Sequence, residues 1–505
     1  MKLSITHLSG IEEPPQAIAM HRGNLLSAIP RTLRRAQQRW AQNSLLNRLK
    51  ILKRFRHLLA EQSGQLAALV SEVTYRPESE ILSAQIIPLA DACKFMERRA
   101  VKILSPRRLG SAQRPAWLTR TSTEVHLVPL GVVLVITPSN FPLFIPGIIA
   151  LQALVAGNAV LLKPAPGVGI IAKAFLDILI SAGLDKDLLH ILPESTGSAQ
   201  SAIASGVDKI VFTGSAEIGE KILHAAADQL TPVILELSGC DAVFVRADAD
   251  LDLVVRSLRF GLRLNSGATC IAPRRVFVHH SRATELEGRL AEAVRNEESF
   301  LLNSKTSFKI FPLVENALRQ GAHLVQGELL SANSLRVPLI LAGAKPTMEL
   351  LRNDIFAPVI SLVTVSDDLE SLQFAAQCPF ALGASIFSSD KSAAAALAQK
   401  IQAGVITIND LIVPTADPRV PFGGRKRSGF GVTRGAEGLL EMTAPKVIAI
   451  SHGKWRPHLQ QPQPGEANLL KAFLKISHGG SLRQKFAGLI SLMRLARKKN
   501  LSVKF

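Results

Sequence analysis

The spacing of apolar positions changes character along this chain. From about residue 30 to 103, Leu49, Leu52, Phe55, Leu58 and Leu59 recur at helical intervals with Arg and Lys between them, which predicts helices with one face on a core. From Gly131 the pattern becomes short apolar runs, near 131–137, 159–162, 188–192, 209–212 and 233–236, separated by helical stretches such as 168–182 and 218–229. Apolar strands alternating with helices predict a parallel sheet covered on both faces, a doubly wound α/β domain. A second α/β unit is expected from about Ala242 to Phe422, with strands at 242–245, 275–279, 359–364, 384–387 and 404–408.

Residues 127–162 carry no charge, long enough to span a bilayer. Pro129, Pro138, Pro142 and Pro146 interrupt them, and Ser139-Asn140 would put polar groups at mid-membrane. A buried strand, an irregular turn, a packed helix (145–156) and a second buried strand fit better. At 505 residues, 47% hydrophobic and 20% charged, the chain has the composition of a globular protein of two or three domains. Cys93, Cys240, Cys270 and Cys378 lie far apart, so neither a metal site nor a disulfide framework is expected, and a reducing compartment is the default. The first residues lack the apolar run of an export signal, which reads as cytoplasmic.

Candidate chemistry sits in small-residue turns. Leu235-Glu236-Leu237-Ser238-Gly239 exposes an acid, Gly267-Ala268-Thr269-Cys270 a thiol, and Thr137-Pro138-Ser139-Asn140 an amide. Together they supply the roles that oxidation of an aldehyde through a thioester requires: a thiolate that adds to the carbonyl, an N–H donor for the oxyanion, and a carboxylate that activates water. Each has a plainer reading, as a buried small hydrophobe, a turn cap or a solvated acid. Glu236 ends the apolar run 232–235, which argues against a surface role. Gly214 and Ser215 close a strand and open a helix, where backbone N–H groups could face a pyrophosphate.

Over roughly residues 25–450 the chain resembles the NAD(P)-dependent aldehyde dehydrogenase superfamily. The resemblance rests on seven blocks in family order: 136–143, Leu162-Lys163-Pro164, 212–219, 235–239, 267–270, Ile355-Phe356-Ala357-Pro358-Val359, and 421–431. It implies a doubly wound cofactor domain (1–120 and 131–237), an α/β catalytic domain (238–424) and a strand arm (121–130 and 425–450) that builds a homodimer or homotetramer. It makes Cys270 the nucleophile, Asn140 the oxyanion donor beside the Cys270 N–H, and Glu236 the general base. NAD or NADP would be held by Thr137, Pro138, Ser139, Lys163, Gly214, Ser215, Leu237, Asp354 and Phe356, with Lys163 on the adenine ribose. Several positions depart from the family. Asp354 stands where a glutamate usually grips the nicotinamide ribose, and Pro166 replaces an acid that repels a 2′-phosphate, so NADP is not excluded. Ser238-Gly239-Cys240 replaces Gly-Gly-Lys, Ala268 and Thr269 replace the more usual Gln and variable residue before the nucleophile, and the stretch from Cys270 to Asp354 is short. An unusual subfamily is indicated.

The net charge of +19 concentrates at the end, where residues 451–505 hold eleven Lys and Arg against Glu466 alone. Leu482, Phe486, Leu489, Ile490 and Met493 fall on one helical face there, flanked by bases. A basic amphipathic helix points to an anionic membrane surface or an acidic partner, or else packs on its own protein. Nucleic acid is disfavoured, because interleaved aromatic residues and a binding fold are missing. The expected activity is oxidation of an aldehyde to a carboxylic acid, in the cytoplasm or peripheral to a membrane. The alternatives are a CoA-acylating dehydrogenase and a catalytically silent membrane-associated scaffold.

Overall fold

The computed structural model describes residues 31–498 apart from 296, 298, 332–333, 453–455, 460 and 462–463. The N-terminal residues examined for an export signal lie outside the described residues, as do Lys454, Lys499 and Lys504 of the basic tail. By internal contacts the chain forms two units, one of Met1–Arg107 with Val125–Val447, the other of Arg108–Glu124 with Ile448–Phe505.

In the first unit, the predicted helical region is a set of helices, chiefly Arg31–Gln42, Leu45–Glu61, Ser63–Thr74 and Ile87–Leu104. Leu49, Leu52, Phe55 and Leu59 are buried, as their spacing demands, while Leu58 is half-buried. Phe55 meets Phe175 edge-to-face at 5.4 Å, a contact whose truncation to alanine costs about 3–5 kcal/mol. Trp40 Nε1 donates to Leu154 O at 2.8 Å, so this large side chain enters the core with its one polar atom satisfied.

These helices cover a six-stranded sheet in the order Gly429–Phe430, Val233–Leu237, Lys209–Gly214, Val132–Ile136, Ala159–Lys163, Leu189–Ile191. All but the first strand run parallel. The chain winds outward from Val132–Ile136 in one direction, then returns to add Lys209–Gly214 on its other side. The crevice at the carboxyl ends of those two strands is where doubly wound sheets bind ligands. Helix Phe144–Ala156, from the uncharged stretch, is buried on every face. No described helix is long and apolar enough to cross a membrane.

The second sheet runs Phe300–Leu301, Ser334–Ala342, Val359–Val365, Pro273–His279, Asp241–Val245, Gly383–Phe387, Val405–Ile408, with His323–Ser331 paired to Ser334–Ala342. Alternate residues of its strands feed two cores: Ala242, Phe244 and Phe277 on one face, Val243, Val245, Val276 and Val278 on the other. Its edge hairpin, 323–342, was not expected. Residues 425–440, grouped with the arm on sequence, lie elsewhere: Arg425–Lys426 pairs with Phe380–Ala381, Gly429–Phe430 pairs with Val233–Leu237, and Gly435–Leu440 is a helix. The arm strand begins at Thr443, in a three-stranded sheet ordered Arg107–Leu109, Thr121–Pro129, Thr443–Ser451.

The second unit contains the helices Glu466–His478 and Leu482–Lys498, folded against each other as a hairpin. A Cβ on Gly488 would stand 2.9 Å from Ala472 O, so small residues set their close approach. Leu482, Phe486, Leu489, Ile490 and Met493 face solvent, as do Leu470 and Leu474. The apolar stripe of the last helix is therefore left uncovered by its partner helix.

Candidate active site

Three chain segments converge in the first unit. Val132–Ile136 ends in Thr137-Pro138-Ser139-Asn140, Val233–Leu237 carries Glu236, and the turn after helix Leu251–Arg263 delivers Cys270. That turn is unusual: Asn265, Ser266 and Gly267 all adopt positive φ, at 56°, 49° and 69°. At Gly267 only glycine fits, because a Cβ would sit 2.5 Å from Pro358 Cα and N. Arg274, buried, clamps the turn by donating to Gly267 O at 2.6 Å and to Ala357 O. Asn265 Nδ2 donates to Asn140 O and Ala268 O, and Arg76 holds Asn140 O at 2.6 Å.

Asn140 Nδ2 donates to Ala268 O at 3.0 Å, two residues before the thiol, while its buried Oδ1 has no hydrogen-bond partner among the described residues. Cys270 Sγ lies 4.0 Å from Glu236 Oε1, and Thr213 Oγ1 lies 3.5 Å from Oε2. The structure thus brings Asn140, Glu236 and Cys270 to one place. Burial pushes the Cys270 thiol up, and the neighbouring Glu236 and Asp241 push it further. Burial also raises Glu236, opposed by Arg434 and the Thr213 hydroxyl. Burial thus disfavours the anionic form of both groups, which stand 4.0 Å apart. Around it lies an apolar cluster of Ile271, Leu382 and Phe422, with Cys270, Val405 and Ile412 packed against it.

At the expected cofactor region, Lys163 ends its strand 7% exposed, and its ammonium makes no side-chain hydrogen bond among the described residues. A hydroxyl-rich ligand would satisfy it. Ser215 caps helix Ala216–Ala227 by accepting from Ile218 N, leaving earlier amides of that turn free for an anion. These residues fit a dinucleotide. Thr137 N donates to Lys163 O, Pro138 is half-buried and Ser139 exposed. The Leu237 side chain packs under Gly219. Burial raises the Asp354 carboxyl, Ser238 Oγ donates to Gly214 O at 3.4 Å, and Phe356 stands exposed nearby in sequence. Sequence reasoning missed Thr213, Asp241, Arg274, Arg434 and Glu194. Glu194 accepts from Gly167 N and Gly169 N, both at 2.7 Å, and its charge acts on Lys163.

Residues 21–448 match the model of the aldehyde dehydrogenase family. The chain belongs to that family. It is 30% identical over 421 residues to a 4,4′-diapolycopene aldehyde oxidase of Methylomonas, covering 82% of this chain and 79% of the relative. It is 31% identical over 443 residues to an NAD-dependent benzaldehyde dehydrogenase of Pseudomonas putida, covering 83% and 87%. Among solved structures, the NADP complex of an NADP-dependent glyceraldehyde-3-phosphate dehydrogenase from Bacillus halodurans C-125 superposes with a TM-score of 0.78 at 28% identity, over 85% of this chain and 91% of that one. The expected α/β aldehyde dehydrogenase fold therefore holds, and the chain is an aldehyde oxidoreductase of the NAD(P)-dependent kind. The family match stops at residue 448, short of the basic helical hairpin.

Proposed function

We propose that this aldehyde dehydrogenase converts an aldehyde to a carboxylic acid through a thioester on Cys270. The observation carrying this reading is the 4.0 Å approach of Sγ to Glu236 Oε1, beside an Asn140 amide turned to the nucleophile's own turn. Glu236 takes the thiol proton, and the thiolate forms a C–S bond to the carbonyl carbon. The oxyanion is held by the Cys270 N–H and Asn140 Nδ2, donors of a kind whose removal costs about a hundredfold or more in rate. Lys163 and the turn at Gly214 and Ser215 would hold NAD or NADP, which when bound would supply a hydride acceptor for this oxidation. Glu236, having passed its proton to solvent, then takes one from water. The hydroxyl adds to the acyl carbon, the C–S bond breaks, and acid leaves as the thiol is restored.

A buried base at the thiol supports water, rather than CoA, as the acyl acceptor. Glu236→Gln, which removes the base for both steps, is expected to slow the first burst of reduced cofactor as well as steady turnover, each about a hundredfold or more. Full turnover by that variant, or acyl-CoA as the product when CoA is added, would overturn the reading. Activity surviving Cys270→Ala would do the same.

The apolar surroundings of Cys270 favour an apolar aldehyde. The hairpin supports a second element of the proposal, peripheral attachment to an anionic lipid bilayer. Its outward stripe of Leu470, Leu474, Leu482, Phe486, Leu489, Ile490 and Met493 is accompanied by Lys471, Lys475, Arg483, Lys485 and Arg494. Large apolar side chains beside bases match the depth profile of a lipid interface, and sedimentation with vesicles tests it. Strand Thr443–Ser451, an edge strand with Val447, Ile448 and Ile450 exposed, is the surface proposed to pair copies of the chain into a homodimer or homotetramer.

A further inference from the structure

Arg434 is 8% exposed and forms no ion pair within 4.0 Å among the described residues. Its backbone, at φ 61°, follows the bridge between Phe422 and Thr433 and precedes helix Gly435–Leu440. The guanidinium lies between two rings, 4.1 Å from the centre of Phe422 and 5.3 Å from that of Phe144. Nη1 donates to Thr415 O at 2.8 Å, whereas Nε and Nη2 take no hydrogen bond among the described residues. The two rings place it. Phe422 packs in the cluster that Cys270 joins, and Phe144 opens the helix just after the Asn140 turn.

A cation out of water without a carboxylate partner is costly, and ring faces offset only part of that cost. What remains is the reaction centre. We propose that Arg434 is a positioning residue of this dehydrogenase, whose fixed charge steadies first the Cys270 thiolate and then the Glu236 carboxylate, the two anions that the thioester route requires in turn. The inference rests on the proposed function above. Every charged neighbour of the pair matters to it. Cys270 faces Glu236 and Asp241, which oppose its ionisation, and Arg434 and Arg274, which favour it. Arg274 is already engaged by the carbonyls of Gly267 and Ala357 and by the charge of Asp354. Glu236 faces Arg434 and the Thr213 hydroxyl. Arg434 is thus the cation common to both groups.

The test is the pH dependence of Cys270 alkylation by iodoacetamide, read by mass spectrometry of the Cys270 peptide in the full chain, for wild type, Arg434→Met and Arg434→Lys. Removing a positive charge disfavours thiolate, so the midpoint of Arg434→Met is expected to rise by about one pH unit, about tenfold slower alkylation below the midpoint. Arg434→Lys, which keeps the charge but withdraws it from between the rings, is expected to shift in the same direction by less. A purely structural arginine would lower the melting temperature and leave the midpoint in place. An unchanged midpoint in whichever variants fold overturns the inference. Failure of the underlying reading looks different, since then wild-type Cys270 forms no acyl-enzyme at all.

Discussion

Glu194 brings a carboxylate to a region from which Pro166 had removed one. Both its oxygens are fixed by the amides of Gly167 and Gly169, and these bonds hold its carboxyl below the usual range, so it is charged throughout the physiological window. A 2′-phosphate near Lys163 would meet that charge. Wild-type enzyme is therefore expected to favour NAD, and Glu194→Gln to move the ratio of kcat/KM for NADP over NAD upward by about tenfold, the scale of about one removed like-charge contact. An unaltered ratio would refute this. That Cys270, Asn140 and Glu236 come together was foreshadowed by their short local motifs, although Glu236 proves to be buried in strand Val233–Leu237 rather than exposed in a turn. Arg434, Thr213, Asp241 and Glu194 were not foreshadowed, because what they do depends on side chains distant along the chain, such as Arg434 against Phe144. Asp354 shows the opposite case: its position was legible, but its burial, which raises its carboxyl, was not.

The turn 265–267 stores strain at the level of an element. Three successive residues with positive φ are held by Arg274, Asn265 and the backbone of Pro358. Gly267→Ala adds both a backbone penalty and a collision with Pro358, together at least about 1–3 kcal/mol. The expected outcome is a lower melting temperature with Cys270 alkylated more slowly, as the thiol leaves its place near Glu236. Wild-type stability and reactivity in this variant would show that the turn tolerates another path. Strands buried on both faces were readable as apolar runs. The hairpin 323–342 was not, because register shifts near Leu324, Gln326 and Leu329, together with Gly327 at φ 90°, break the alternation that marks a strand. The π-helical segment Leu82–Ile86 is likewise invisible to a 3.6-residue period.

At the scale of the whole molecule, just over half of the excess charge, +10 of +19, belongs to a segment beyond the family match. Each base near an anionic surface contributes about 1 kcal/mol, so the full chain is expected to sediment with phosphatidylserine vesicles and release at high salt. Phe486→Ser combined with Met493→Ser should weaken that binding about tenfold or more while soluble aldehydes are oxidised at the wild-type rate. Equal sedimentation of the double variant, or of a chain ending at Ser451, would dismiss the lipid and leave pairing with another copy or an acidic protein.

Ser428, fully buried, ties the end of the Glu236 strand in the six-stranded sheet to the two-stranded pair of Phe380–Ala381 and Arg425–Lys426. Its hydroxyl donates to Ser238 O and accepts from Ala381 N, its carbonyl accepts from Leu237 N, and the flanking strands pair with Phe380–Ala381 on one side and Glu236 on the other. This seam runs through the residues beside Glu236 and holds its strand from both sides. With Glu236 as the base proposed above, that seam would let the site work as a fixed jig rather than a closing jaw.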